Sequence, residues 1–249
     1  MIPIKRKIQE KFSAASHTYN DVAHVQKESA LILVKNLHEF ITGFNPKTIL
    51  DLGTGTGYLT EALLQHYPSS FYSLNDIAPG MISFVQNKFK HHSKFSFYES
   101  DMENGNFEPH NLIVSNLSMQ WVESLEKTIQ KFYSKSDVFS FSCLLDGTFR
   151  EWNNILKNFG LPSALKQYPT ENNLTNFLYR LGTKNHHFYV KEFQVNFNNI
   201  RSFFNYLKKL GASASDTKIP FQEMVRIIKN HNLGFSITYK IFFAVVKRK

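Results

Sequence analysis

The chain has 249 residues, 42% of them hydrophobic, and a formal net charge of +9 from 29 basic and 20 acidic side chains. That length predicts one large domain, or one domain with a cap, over a sizeable core. The longest apolar runs are too short for a transmembrane helix, the basic start Met1–Lys7 lacks the apolar stretch of a signal peptide, and the lone Cys143 excludes an internal disulfide or a cysteine-based zinc site and fits a reducing cytoplasm.

Apolar residues at Val22, Val25, Ala30, Leu33, Val34 and Leu37 predict helix from Ile4 to about Phe40, closed by Gly43, Asn45 and Pro46. A first strand is expected at Thr48–Leu52, with a helix over about Tyr58–His66. A second strand at Phe71–Asn75 leads to a helix over about Gly80–Phe89. Further strands are expected at Phe95–Ser100, Leu112–Asn116 and Val138–Leu144, with a helix over Ser124–Phe132. Strands alternating with helices imply right-handed βαβ units and a mostly parallel α/β sheet of Rossmann-like type. The last third changes pattern. Strands at Phe188–Phe197 and Ile237–Val246 flank two helical segments, Ile200–Leu210 and Phe221–Asn230. The whole chain, 1–249, therefore reads as one domain with an N-terminal helical cover (1–45) and a helical cap insertion (198–235).

The first strand ends in Asp51-Leu52-Gly53-Thr54-Gly55-Thr56-Gly57, a glycine turn that lets backbone approach a ligand ahead of a helix N-terminus. Its glycines stand one residue closer than in a dinucleotide G-x-G-x-x-G site. Asp51 beside the turn disfavours a diphosphate and favours a cation. Asp76, past the second strand, is placed to accept two ribose hydroxyls, and Asp101, past the third, to accept an adenine amine. S-adenosylmethionine carries an ammonium, a ribose diol and an adenine amine, and no phosphate. Acids also follow strands simply because Asp suits turns, a reading that would serve for Asp101 alone.

Ile49–Gly57, with Asp76 and Asp101, resembles the class I S-adenosylmethionine-dependent methyltransferases. The resemblance implies a seven-stranded sheet with an antiparallel last strand. It also implies cofactor contacts from Asp51, Gly53, Thr54, Gly55, Gly57, Asp76, Ile77, Asp101, Met102 and Asn116, with S-adenosylhomocysteine as product. Ser115-Asn116-Leu117-Ser118-Met119-Gln120-Trp121 lacks the prolines of nucleobase methyltransferases, so a nucleic-acid acceptor is not expected. It is similar instead to the Ser-Asn-Leu-x-x-Gln-Trp of malonyl-acyl-carrier protein O-methyltransferases, which open the biotin pathway. Lys11–Ala15 with Tyr19, Ala23 and Gln26, Phe141–Glu151, Leu207–Ala212 and Thr238–Phe243 resemble the same family, so the likeness spans almost the full chain. Thr54 and Asn111 depart from its usual Cys and Asp.

In such an enzyme a malonyl carboxylate, ionised near neutral pH, attacks the sulfonium methyl without a general base. Water must be excluded and the reactants aligned. Tyr19 is a candidate to cover the cofactor, Arg150 to orient the carboxylate, and Gln120 with Trp121 to shape the acceptor wall. Each also has an ordinary role, as core aromatic or surface arginine. Lys208, Lys209, Lys218, Arg226 and Lys229 form a candidate docking face for an acidic acyl-carrier protein. The charge equally suits an AT-rich genome, since 23 of the 29 basic residues are Lys. His91-His92 and His186-His187 are adjacent pairs that rarely ligate one ion, so no metal is expected. A monomer that binds no membrane is expected. Alternatives are methylation of another small acid or quinone precursor, or a non-catalytic assembly factor that keeps the fold.

Overall fold

A computed structural model describes residues 4–163, 166–183, 185–213, 219–230 and 234–248. In chain order the elements are α1 (Ile4–Ala15), α2 (His24–Phe40), β1 (Thr48–Leu52), α3 (Tyr58–Leu64), β2 (Phe71–Asp76), α4 (Pro79–Lys88), β3 (Phe95–Glu99), β4 (His110–Asn116), α5 (Leu125–Ser134), β5 (Ser136–Leu144), α6 (Arg150–Asn158), α7 (Glu171–Arg180), β6 (Asn185–Phe197), α8 (Ile200–Lys209), α9 (Phe221–Asn230) and β7 (Phe235–Lys247). Short 3-10 turns lie at Tyr19–Asp21 and Met119–Trp121.

The strands form one seven-stranded sheet in the order β3-β2-β1-β4-β5-β7-β6. The pairs from β3 through β5 are parallel, and β7 runs antiparallel between β5 and β6. The α/β class and the antiparallel last strand agree with the sequence reading. Both faces are covered, which explains why the central strands are apolar throughout. Ile49, Leu112, Val138 and Phe243 face one apolar cluster, with α2, α3 and α8 residues. Leu50, Ile113, Phe139 and Phe242 face the other, with residues of α5 and α7. This alternation follows from the two-residue period of a strand.

Three features differ from expectation. The N-terminal helix is two helices, because the hydroxyls of Ser16 and Thr18 bond back to the Ser13 and Ala15 carbonyls and divert the chain into a turn. Two helices, α6 and α7, occupy a stretch without an assigned element. α7 is capped by Thr170, whose side chain accepts from the Asn173 N–H at 3.2 Å. Strand β6 begins three residues earlier than Phe188. α8 and α9 lie between β6 and β7, while residues 214–218, Lys218 among them, fall outside the described residues. No described helix is long and apolar enough to cross a membrane.

The chain leaves β1 toward β2 and β3, then returns to place β4 on β1's other side. That reversal opens a crevice at the carboxyl ends of β1 and β4, the usual ligand position in such sheets.

Candidate active site

The turn after β1 is held by hydrogen bonds from the Thr54 N–H to the Asn75 carbonyl and from the Gly57 N–H to the Thr54 carbonyl, both 2.9 Å. Gly53 adopts φ +66°, and a Cβ there would stand 2.3 Å from Ser118 Oγ, so only glycine lets the turn touch the segment after β4. Gly57, at φ +82°, caps α3 against the Phe89 ring and does not line the cavity. Gly55, Thr54 and Gly53 do line it.

Asp76 lies 8% exposed on the cavity wall. Its Oδ2 accepts from the Gly55 N–H and its Oδ1 from the Ala78 N–H, each at 2.9 Å. Burial pushes its carboxyl up to about 6, against the pull of these N–H groups. Asp51 is more deeply set than the sequence suggested. It does not line the cavity. Its Oδ2 accepts from the hydroxyls of Thr54 (3.0 Å) and Thr60 (2.6 Å), while Oδ1 is buried with no partner. Burial raises it to about 6 as well. Asp51 thus ties the turn to α3 from beneath and keeps one spare acceptor there.

Asp101, Met102 and Ile77 line the same cavity. The Asp101 carboxylate, expected free for an adenine amine, is shared. Lys5 from α1 reaches its Oδ2 and Glu103 Oε2, each at 2.5 Å, and Asn104 donates to Oδ2 at 2.7 Å. Burial alone would raise Asp101, but the Lys5 contact and the Glu103 N–H hold it below the ordinary carboxylate range. Lys5, Ile8 and Phe12 make α1 a cover over the cavity, and Phe12 meets Trp121 edge-on at 5.3 Å. Only Phe12 belonged to a motif singled out in the sequence. The inward side of α1 has the apolar spacing that marks the rest.

Tyr19 lines the cavity beside Gln26, and burial pushes its phenol well up. Asn116 also lines it, and three of the four hydrogen-bonding positions of its amide are engaged within the protein. Oδ1 accepts from Ser29 and Ser142 (2.8 and 2.7 Å), and Nδ2 donates to the Gln26 carbonyl at 2.9 Å, which pins α2 to β4 and β5. Gln120 does not line the cavity. It donates to the Leu117 carbonyl at 2.6 Å and steadies that residue, a non-glycine at φ +50°. Arg150 does not reach the cavity either. It starts α6 facing β6, and its guanidinium forks onto Glu192 at 2.8 and 3.0 Å on the exposed surface.

This donor set fits S-adenosylmethionine. The cavity offers three carboxylates, Asp76, Asp101 and Glu103, and apolar walls from Ile77, Met102, Leu117 and Val122. Among the described lining residues Lys5 is the one cation, and two acids already hold it. A diphosphate would meet acid without compensation.

Residues 49–135 match the family described as Methyltransferase domain. Among solved structures, the magnesium protoporphyrin IX methyltransferase of Synechocystis superposes with a TM-score of 0.60 at 14% identity, over 98% of this chain and 100% of that one, a likeness of fold. Along the sequence, the malonyl-acyl-carrier protein O-methyltransferase of Bacillus anthracis is 26% identical, over 98% of this chain and 98% of its own. That of Neorickettsia risticii is 30% identical over 237 residues, 95% of this chain and 94% of its own. At that identity and coverage, the chain belongs to the malonyl-acyl-carrier protein O-methyltransferase family.

Proposed function

We propose that this protein moves the methyl group of S-adenosylmethionine to the free carboxylate of a malonyl thioester carried by acyl-carrier protein, the ester that primes biotin synthesis. The observation that carries the acceptor is the end-to-end likeness to the Neorickettsia risticii enzyme. A cavity with Asp76 and Asp101 on its wall supports the donor.

S-adenosylmethionine, when bound, supplies an electrophilic methyl on a sulfonium. The chain's own work is binding, alignment and drying. Asp76, ionised above pH 6, accepts ribose hydroxyls while the Gly55 and Ala78 N–H groups keep its oxygens aimed. Asp101 meets an exocyclic amine with the same carboxylate whose Oδ2 Lys5 holds. Phe12 and Trp121 close over the cavity and exclude water, which strengthens every polar contact inside. No general base is required, since a malonyl carboxyl group titrates about three units below neutrality. Gln120 serves as a positioning residue through Leu117 rather than by touching the acceptor.

The carrier protein is acidic by the family's chemistry. Lys208, Lys209, Arg226 and Lys229 are exposed on α8 and α9, where they would form a transient, salt-sensitive docking face. The decisive experiment incubates the protein with S-adenosylmethionine and malonyl-acyl-carrier protein or malonyl-CoA and seeks the methyl ester by mass spectrometry. No ester on either, with cofactor binding intact, rejects the proposal. Equal rates on both thioesters would reject the docking face alone.

A further inference from the structure

A carboxylate drawn into a dry site needs hydrogen-bond donors, because an ionised group buried without them is strongly penalised. The cations near this site do not supply them. Arg150 is engaged with Glu192 outside the cavity, and Lys5 is divided between Asp101 and Glu103. The structure instead gathers four phenols. Tyr19 comes from the turn after α1, Tyr168 from the segment between α6 and α7, Tyr206 from α8 and Tyr239 from β7.

The Tyr206 and Tyr239 hydroxyls are 2.9 Å apart, and both residues are buried. Burial does most to raise the Tyr19 and Tyr239 phenols; Tyr206 adds to both, and Tyr168 and Tyr19 add to Tyr239, so the four hydroxyls are electrostatically coupled. The Gln26 amide also lies against the Tyr206 hydroxyl. Tyr19 and Gln26 form the part of this group that lines the cavity.

Counting protons exposes a surplus. Tyr206 and Tyr239 hold two phenolic protons and share one hydrogen bond, so one O–H is unspent. Among the described residues, the hydroxyls of Tyr19 and Tyr168 make no hydrogen bond at all. The Gln26 Oε1 is buried without a partner, and a half-turn of its terminal torsion would let it accept the pair's remaining proton and pass the surplus on to its own NH2 group at the cavity wall. Buried polar groups are normally satisfied. A concentration of spare donors beside a ligand cavity points to an anion that satisfies them. Burial keeps these groups neutral donors, with Tyr168 and Tyr206 pushed up to about 12.

We propose that Tyr168, Tyr206 and Tyr239, with Tyr19 and Gln26 at the cavity wall, form the subsite that receives the acceptor's carboxylate through neutral hydrogen bonds. The proposal rests on the methyl-transfer reading above and adds how the acceptor is recognised. Neutral donors hold a carboxylate without the tight ion pair that would dampen its attacking oxygen. They also select for the acid. An acetyl thioester, which lacks the carboxylate, would leave the donors unspent, and sites built to hydrogen-bond a group reject analogues without it.

The test uses the full-length protein with Tyr168→Phe, Tyr206→Phe, Tyr239→Phe and the Tyr206→Phe/Tyr239→Phe double variant, each keeping the ring and removing only the hydroxyl. Three readouts are taken: S-adenosylhomocysteine affinity by calorimetry, steady-state constants with malonyl-CoA, and competitive inhibition by acetyl-CoA. The expected result is cofactor affinity within about twofold of wild type and a malonyl KM raised about tenfold or more. Acetyl-CoA inhibition should stay nearly constant, so that the preference for the malonyl group collapses. A malonyl KM within about twofold in every variant, or malonyl and acetyl binding lost together, overturns the subsite. A purely structural staple between α8 and β7 would give the latter pattern. If Tyr239→Phe fails to bind cofactor, Tyr168→Phe and Tyr206→Phe decide on the same criteria. A wild-type protein that makes no methyl ester overturns the reaction itself, and the subsite with it.

Discussion

Replacing Asp76 by Asn separates two consequences of one buried carboxylate. Its carboxyl is raised from 3.8 to about 6, mainly by burial. A shift of this size amounts to about 3 kcal/mol of preference for the protonated form in the folded protein. Between pH 4 and pH 6 the folded state binds more protons than the unfolded chain, so stability falls as pH rises through that window and is level above it. From pH 8 down to pH 5, Asp76 alone should then add roughly 1.4 kcal/mol to the stability of the free protein. His110 works in the opposite sense. Burial lowers its ring, so it loses stability on acidification below its unfolded value near 6.5. The informative quantity is therefore wild type minus Asp76→Asn, measured by urea unfolding at pH 5 and pH 8. That difference should change by about 1 kcal/mol or more, with the wild type gaining more on acidification. The same variant puts an NH2 group against the Gly55 or Ala78 N–H and removes a charged acceptor. S-adenosylhomocysteine affinity should fall about 10- to 100-fold, the usual cost of a hydrogen bond to a charged group. An unchanged pH difference would refute the burial argument, and an unchanged affinity would refute the placement of the ribose on Asp76.

Gly53→Ala should lose about 3 kcal/mol or more of stability by thermal unfolding, because left-handed strain adds to a Cβ 2.3 Å from Ser118 Oγ. Gly55→Ala, at φ +54° with nothing within 4 Å of its Cβ, should cost only about 1 kcal/mol yet weaken S-adenosylhomocysteine binding measured by calorimetry. Lys5→Ala breaks the α1 contact to Asp101 and Glu103, and S-adenosylhomocysteine should dissociate about fivefold faster in stopped-flow measurements; an unchanged off-rate would deny α1 its role as a cover. Arg150→Ala should leave the malonyl KM within about twofold, since the guanidinium is engaged with Glu192 outside the cavity. A tenfold rise would return Arg150 to acceptor recognition.

The contrast between Asp76 and Arg150 explains which parts of the site a sequence discloses. The donor side is built from the ends of adjacent strands, so its residues sit where strand period and turn chemistry already point. Gly53, Gly55, Asp76 and Met102, which line the cavity, stand out in short windows for that reason, as do both covered faces of the sheet. Asp101 was located too, but its occupancy was not, because the lysine that holds it stands 96 residues earlier. The missed break between α1 and α2 depends on hydroxyl groups of Ser16 and Thr18 turning back on the chain, a choice that apolar spacing does not register. α6 begins after Phe149 at φ +59° without a capping side chain, so its start carries no ordinary signal. Arg150 looked suited to a carboxylate because guanidinium groups usually are. Its true partner, Glu192, is on a strand whose edge position emerges only from sheet order. The acceptor side follows the same logic to its limit. Tyr19, Tyr168, Tyr206 and Tyr239 share no period and no motif, and each alone reads as one more aromatic in a chain of 11 Tyr and 24 Phe. What distinguishes them is a surplus of unspent hydroxyl protons, a property of the assembled neighbourhood rather than of any residue. Relatives that keep the glycine turn while altering these phenols should therefore bind the same cofactor and differ in acceptor.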